Sequence, residues 1–245
     1  HLFGSYRENP YLSPQYIATI ANLKDKNKRK AWLGGSWDIV AGGAIDDVWD
    51  RTKHVVPRFA IPKGWYVDRA FDWGSSHPAA AGWFALANGE EVELPDGSKF
   101  CPRPGSLIMF DELYVSAGIG TNTGLRWSAT KVAQAIKEKE IAALALGYVF
   151  TTPWPGPADN QIHNVNDSGT ETIAKKMADE NIHWEPSDKA KGSRKQGLQL
   201  VRDRLEAVID GDDKPGLYFM ENCRATIDLL PTLPRDELDM DDVDT

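Results

Sequence analysis

The sequence predicts an α/β fold: a mixed sheet flanked by helices, preceded by a short helical linker segment. Three apolar, alternating stretches between residues 66 and 110 read as consecutive strands, and from residue 128 onward helical and strand patterns alternate. The apolar strands run into carboxylates.

Residues 1–60 read as a helical, loop-rich lead-in. Pro14 suits the first turn of a helix starting near Ser13, and Tyr16, Ile17, Ile20 and Leu23 are spaced for one apolar face. This helix stops in the basic run Lys24 to Lys30. Two Trp-centred turns and Gly42-Gly43 follow.

Tyr66–Phe71 alternates as a strand does, and Ala79–Leu86 forms a second strand that ends at the turn dipeptide Asn88-Gly89. Leu94 to Lys99, with Asp96-Gly97 inside it, reads as a hairpin insertion. Ser106–Phe110 is almost continuously apolar, so it is expected to be central, covered on both faces, and to end at Asp111-Glu112.

A helix is predicted from about Ser128 to Leu146, with Val132, Ala135, Ile136, Ile141 and Leu144 on its apolar face and Gly147 ending it. Tyr148–Phe150 reads as a fourth strand, leading to Asp159. Helix 170–180, strand 182–185, helix 193–209, strand 216–220 and helix 223–230 complete the chain. Three strands followed by this alternation give the order of a ribonuclease H-like fold.

The 245 residues suffice for a large core, and 41% apolar composition with nine Trp excludes an intrinsically disordered chain. The longest apolar stretches fall far short of the roughly 20 residues of a membrane span. Cys101 and Cys223 are too far apart for a CxxC motif, so a reduced, cytosolic protein is the simplest reading. The net charge is −8, of which residues 234–245 carry −5 as an acidic tail, so the rest of the chain is nearly neutral. His1 in place of an initiator Met and the abrupt acidic end lead us to expect a piece of something longer.

The candidate chemistry lies in the acids. Asp72 is expected to end the first strand, Asp111 and Glu112 the third, and Asp159 to follow the fourth. A ribonuclease H-like order makes the first and fourth strands neighbours, so Asp72 and Asp159 would face each other, their charges unpaired by Lys or Arg. Two divalent cations about 4 Å apart need convergent, rigidly held carboxylates to clamp a phosphodiester. Mg²⁺ and Mn²⁺ favour hard oxygen ligands, hence Asp and Glu rather than His or Cys. Any single acid of this kind is more simply a strand or loop cap, and it is the coincidence of Asp72 with Asp159 that points to a metal site. Asp111 and Glu112 are open between ligand, support and edge pair. Duplex DNA affinity requires local positive charge. Lys189, Lys191, Arg194 and Lys195, on a Gly-Ser turn at a helix start, are the candidate phosphate contacts, with a solvated face as the competing account. His163 is read as structural or as positioning water or phosphate near Asp159.

These residues also carry a family resemblance. The runs His54–Pro62, Gly64-Trp65, Arg69–Gly74 and Gly82-Trp83 resemble the large terminase subunit of tailed bacteriophages and prophages. Asn9–Leu12 with Tyr16, Arg29, Trp32, Gly34 and Trp37 is similar to the segment where that family's ATPase domain passes into its nuclease domain. Gly156–Asp159, Gly192–Arg194 and Asp241–Thr245 also fit.

The resemblance implies a ribonuclease H-like, metal-dependent endonuclease that cuts concatemeric DNA to capsid length. It would use Mg²⁺ or Mn²⁺, as two ions, in the cytoplasm of a bacterial host. It assigns 1–60 to a linker from an ATPase domain, 61–233 to the nuclease and 234–245 to the tail. Partners implied are double-stranded DNA, the portal protein, the small terminase subunit and that ATPase domain, with no membrane. Asp72 matches the first catalytic acid, Asp159 the second, and Glu112 an acid often found on the intervening strand. The third acid lies either beyond Thr245 or at Asp241, Asp242 or Asp244. A non-catalytic module of the same fold, holding DNA or docking on the portal, is the alternative.

No Gly-Lys dipeptide occurs, so no GxxxxGK[ST] phosphate loop exists in this chain. Calorimetry is therefore expected to detect no ATP binding, and micromolar affinity would overturn the assignment of the chain to a nuclease segment alone.

Overall fold

The computed structural model describes residues 13, 43–145, 155–165, 171–236 and 242–243. The helix starting near Ser13, Trp32 and Trp37, the strand 148–150 and Asp241 fall outside the described residues, apart from Ser13 itself. The chain divides into two compact units, Asp50–Ile227 and a second formed by His1–Trp49 with Asp228–Thr245. In the second unit Gly43 bridges to Pro234, and Arg235 Nε donates to the Gly43 carbonyl at 3.0 Å. Ile45, Val48 and Trp49 are buried.

The larger unit carries α1 (Arg51–His54), β1 (Val55–Val56), β2 (Tyr66–Asp72), β3 (Ala79–Leu86), β4 (Val92–Glu93), β5 (Lys99–Phe100), β6 (Leu107–Val115) and α2 (Ala129–Ala145). It continues with β7 (Pro157–Ala158), a 3₁₀ turn (Asn160–His163), α3 (Ile173–Ala178), β8 (Glu185–Pro186), α4 (Ser193–Asp210), β9 (Leu217–Met220) and all but the last two residues of α5 (Arg224–Leu229). Seven strands form one mixed sheet in the order β1-β9-β6-β3-β2-β7-β8. β2 runs antiparallel to β3, and β3 to β6, whereas β2–β7, β7–β8, β6–β9 and β1–β9 are parallel. Five of these strands, β6-β3-β2-β7-β8, reproduce the ribonuclease H-like order. β4 and β5 make the hairpin insertion at Asp96-Gly97.

Alternation sorts the side chains. Val67, Phe71, Ala81, Trp83 and Ile108 are buried in the principal core with Val132, Ala133, Ile136 and Ala143 of α2. The next inward position of α2, Glu140, turns to the sheet and accepts from Arg69 Nη1 and, at 3.2 Å, from Trp83 Nε1. Ile141 and Leu144, predicted for the apolar face, consequently rotate out and are exposed. On the opposite side Glu112 meets α5, while α4 lies against β9 and α1, where His54 Nε2 is 2.9 Å from the Leu205 carbonyl.

Three expectations are corrected. β6 does not stop at Phe110 but continues to Val115, so Asp111 and Glu112 stand in mid-strand. Each is satisfied there by tertiary partners described below, which offsets the cost of carboxylates within a sheet. The helix at 170–180 is shorter, capped by Thr172, whose side chain accepts from Lys175 N. The strand at 182–185 shrinks to Glu185–Pro186, while Ile182 and Trp184 before it are buried.

β7 is only two residues long, and Gly156 sets its approach to β2. Its φ is +65°, and a Cβ there would fall far inside van der Waals contact with the Arg69 carbonyl oxygen. Gly156→Ala therefore combines left-handed strain with backbone displacement and is expected to cost about 2 kcal/mol or more. A urea midpoint equal to that of the parent would show that β7 is not seated by this contact.

Candidate functional site

β2 and β7 are parallel, with Phe71 opposite Ala158, so their carboxyl ends lie side by side. Asp72 is the last residue of β2, and Asp159 follows β7 directly. The Asp159 N–H donates to the Phe71 carbonyl at 3.2 Å, which extends the pairing to the acid itself. β8 lies on the other side of β7, with Ala158 opposite Pro186 and the Ser187 N–H donating to the Ala158 carbonyl at 2.9 Å. Lys189 leaves this third strand end and reaches back, its Nζ donating to Asp159 Oδ2 at 2.9 Å. Three adjacent strand ends thus contribute Asp72, Asp159 and Lys189. The expectation that both carboxylates lack a cationic partner is corrected, because Lys189 neutralises one of them.

The two acids differ. Asp159 is anchored: its Oδ1 accepts from the Gln161 N–H at 2.7 Å, capping the 3₁₀ turn, and its Oδ2 takes Lys189. Those bonds hold its carboxyl below its ordinary value. Asp72 accepts no hydrogen bond among the described residues. Desolvation, and then the Asp159 charge, push its carboxyl up, and Lys189 opposes the rise. The donor set is hard oxygen, and of its two carboxylates Asp72 accepts no bond from a cation or a donor among the described residues. That fits Mg²⁺ or Mn²⁺, which keep some of their water, better than a soft metal. Among the described residues no group of three or more His, Cys, Asp and Glu is arranged around a metal position. Asp242 is described, in the smaller unit, where the Val243 N–H donates to it at 2.9 Å.

The loop following Asp72 is fixed from above by residues 124–126. Gly124 N donates to the Ser76 carbonyl at 2.8 Å and Arg126 N to that of Ser75 at 3.2 Å. A Cβ at Gly124 would collide with the His77 carbonyl oxygen, so only glycine permits this approach.

Asp111 and Glu112 are not brought into this group. Asp111 Oδ1 accepts from Lys139 Nζ of α2 and from the Glu112 N–H, both at 2.8 Å. Glu112 points to the other side of the sheet. Its oxygens accept from Ala225 N at 2.6 Å, Thr226 N at 3.0 Å and Thr226 Oγ1 at 2.8 Å, capping α5. Glu112 shares a face with Asp72, but two strand spacings away, about 10 Å across the sheet.

The two β6 acids instead flank an open cavity of about 500 Å³, with Arg58, Tyr114, Lys139 and Asn222 among its walls. Sequence reasoning misses Arg58, Tyr114 and Asn222, none of which carries a local motif. It also misses the Lys189–Asp159 pair, for which the only signal is a lysine three residues beyond a short strand. Lys191 is exposed just before Gly192, and Arg194 and Lys195 lie in the first turn of α4. The His163 side chain follows Asp159 by one 3₁₀ turn, and its Nε2 is buried without a hydrogen-bond partner among the described residues.

The opposite shifts of the two acids predict opposite pH behaviour. Asp72 titrates above its ordinary value of 3.8 in the fold, so its ionised form costs stability at neutral pH. That cost shrinks as pH falls through the raised value and vanishes below 3.8. Asp72→Asn should therefore leave the metal-free protein as stable or slightly more stable at pH 7, by less than about 1 kcal/mol because solvent screens an exposed group. The gain should disappear in acid. Asp159→Asn, which loses the Lys189 pair, should bring no gain. Melting curves in EDTA across pH check both, and a marked loss in Asp72→Asn at pH 7 would make Asp72 a structural cap.

No described helix is long and apolar enough to cross a membrane. No protein-family profile and no curated protein matches the sequence. Among solved structures, the nuclease domain of the P22 large terminase matches with a TM-score of 0.52 at 14% identity, over 84% of this chain and 84% of that one. The large terminase of a thermophilic bacteriophage, in complex with ADP, matches with a TM-score of 0.51 at 18% identity, over 98% of this chain and 49% of that one. The same terminase in complex with ATP-gamma-S gives 0.51 and 18% over 98% of this chain and 50% of that one. This chain thus spans about half the length of that thermophilic phage protein. Such identities establish likeness of fold, and the sheet order, the helices on its two faces and these matches agree: the chain has the fold of the nuclease domain of phage large terminases.

Proposed function

We propose that the chain is a divalent-metal-dependent DNA endonuclease that cuts concatemeric viral DNA during genome packaging. The observation that carries this reading is the meeting of Asp72 and Asp159 at adjoining parallel strand ends, one held ionised by fixed donors and the other without any. A bound Mg²⁺ or Mn²⁺ would polarise the phosphoryl oxygen and activate water. Asp72 would hold such an ion with an otherwise uncommitted carboxylate. Asp159 would hold it with Oδ2, while its Oδ1 stays on the Gln161 N–H and fixes the carboxylate plane. A second ion needs oxygen ligands beyond these two carboxylates.

Glu112 and Asp111 act in this reading as supports, tying β6 to α5 and α2 so that the sheet end keeps its shape. Lys191, Arg194 and Lys195, which follow β8, would take phosphates of double-stranded DNA beside the acids. The nuclease is assigned to residues 61–233, with 1–60 leading in from a packaging ATPase domain and 234–245 as an acidic tail. The portal protein and the small terminase subunit are the further partners, in the cytoplasm of the bacterial host.

A second reading is favoured by one observation: among the described residues only two carboxylates converge. A ribonuclease H-like module that holds DNA or docks on the portal without cutting it needs no third.

A plasmid assay separates them. In about millimolar Mn²⁺ the chain should nick or linearise plasmid without sequence preference, and EDTA should abolish it. Asp72→Asn and Asp159→Asn should each lower the rate at least about a hundredfold, and Glu112→Gln less, through weakened support of α5. Inactivity of this chain and of one extended by about 20 residues would sink the nuclease reading. Cutting by Asp72→Asn at the parent rate would remove that residue from the mechanism.

A further inference from the structure

The two ion pairs at this end of the sheet differ in a way that bears on cation binding. Arg69 and Glu140, in a pair with side chains only 12% and 19% exposed, are locked further by a bond from Arg69 Nη2 to the His183 carbonyl and by the Trp184 ring, 4.4 Å from the guanidinium carbon. Lys189 and Asp159 form a single 2.9 Å contact, with the lysine side chain 54% exposed. The described residues give the Lys189 ammonium no other bond. Its backbone is seated by β8, through the Ser187 N–H on the Ala158 carbonyl and Ser187 Oγ, 3.3 Å from Asn160 Oδ1. The backbone leading to Lys189 is therefore anchored, while its exposed ammonium has this one partner among the described residues.

Taking Asp72 and Asp159 as the metal ligands, as proposed above, we infer that Lys189 is the built-in counter-ion of the site: its ammonium competes with a divalent cation for Asp159 Oδ2 and yields that oxygen when the cation binds. Two features support this. The ammonium sits on the one Asp159 oxygen that the Gln161 N–H leaves free. An exposed lysine pair is weak and gives way without disturbing the fold, whereas a pair like Arg69–Glu140 would not. Lysine suits the role because its ammonium is a compact point charge on a flexible stem, lacking the fork with which arginine would chelate the carboxylate. Lys189 is a positioning residue in this account. In the metal-free protein it occupies Asp159 Oδ2, at the expense of cation affinity.

The test is Mn²⁺ affinity in the absence of DNA, by calorimetry or by the paramagnetic resonance of free Mn²⁺. Lys189→Met and Lys189→Gln should each bind Mn²⁺ about tenfold more tightly than the parent. Lys189→Arg, which keeps the cation, should bind like the parent or more weakly. Lys191→Met, which removes an exposed charge two residues away, should change affinity less than about threefold, the size of a screened surface effect. Melting curves confirm that each variant folds. Unchanged or weaker affinity in Lys189→Met and Lys189→Gln, with parent binding still abolished by Asp72→Asn, would overturn the counter-ion role and leave the metal reading intact. Equal tightening by Lys191→Met would overturn it too, by showing only a general charge effect. Absence of Mn²⁺ binding in the parent and in all variants would overturn the metal reading, and the inference with it.

Discussion

The parallel pairing of β2 with β7 is the constraint on which the candidate site depends. The ladder itself holds one register pair, Phe71 with Ala158, so its own hydrogen bonds are too few to fix the geometry. The rest comes from the sides. Gly156 lets the chain pass against the Arg69 carbonyl. Arg69 then bonds to Glu140 of α2 and to the His183 carbonyl, and Trp184 stacks on Phe71 with ring centroids 5.0 Å apart. A single arginine on β2 thereby ties α2 and the approach to β8 onto the strand that ends in Asp72. Because parallel strands carry their carboxyl termini to one edge, whatever follows them is gathered there.

Gathering like charges costs free energy, and the structure divides that cost unequally. Asp159 is drawn into local bonding by the 3₁₀ turn and by Lys189, so its charge is largely compensated. Asp72 keeps its full charge beside it, with desolvation and Asp159 both pushing its carboxyl up. Opposite shifts in adjacent acids are a common mark of sites where carboxylates have separate duties. Here desolvation and the Asp159 charge raise Asp72, whereas the turn after β7 offers Asp159 an N–H to cap.

Much of the sheet is legible in the sequence because its long strands obey a period of two and its longest helices carry a 3.6-residue stripe. The pattern delimits Ala79–Leu86 at its observed ends, and the helices at 129–145 and 193–210 to within a residue. Where pattern and structure part, the cause is shared: partners distant in sequence. Asp111 and Glu112 look like strand breakers until Lys139 and the N–H groups of Ala225 and Thr226 are placed next to them, so periodicity alone ends β6 too early. Ile141 and Leu144 fit an apolar stripe because nothing local shows that Glu140 turns inward to Arg69. The adjacency of Asp72 and Asp159 follows from fold order alone, but the place of Lys189 does not, since its reach across β7 depends on a two-residue strand with no periodic signal.

The position of Glu112 illustrates how one residue of backbone decides which acid faces the site. Trp83 lies opposite Asp111, yet the next residue, Phe84, lies opposite Met109, so β6 carries Phe110 as an extra residue in a bulge. Successive side chains alternate across a sheet, and one inserted residue reverses the faces of everything beyond it. Without the bulge, Trp83 would pair with Phe110 and Gly82 with Asp111. Asp111 would then share the Asp72 face, and Glu112 would point at α2. With it, Asp111 faces the Lys139 ammonium on α2 and Glu112 faces the backbone donors of α5. Each acid thus meets a partner suited to its length: the short Asp111 a long lysine, the longer Glu112 main-chain N–H groups. The bulge therefore satisfies two mid-strand charges at once, and it leaves the Asp72 face with a carboxylate already committed to holding α5.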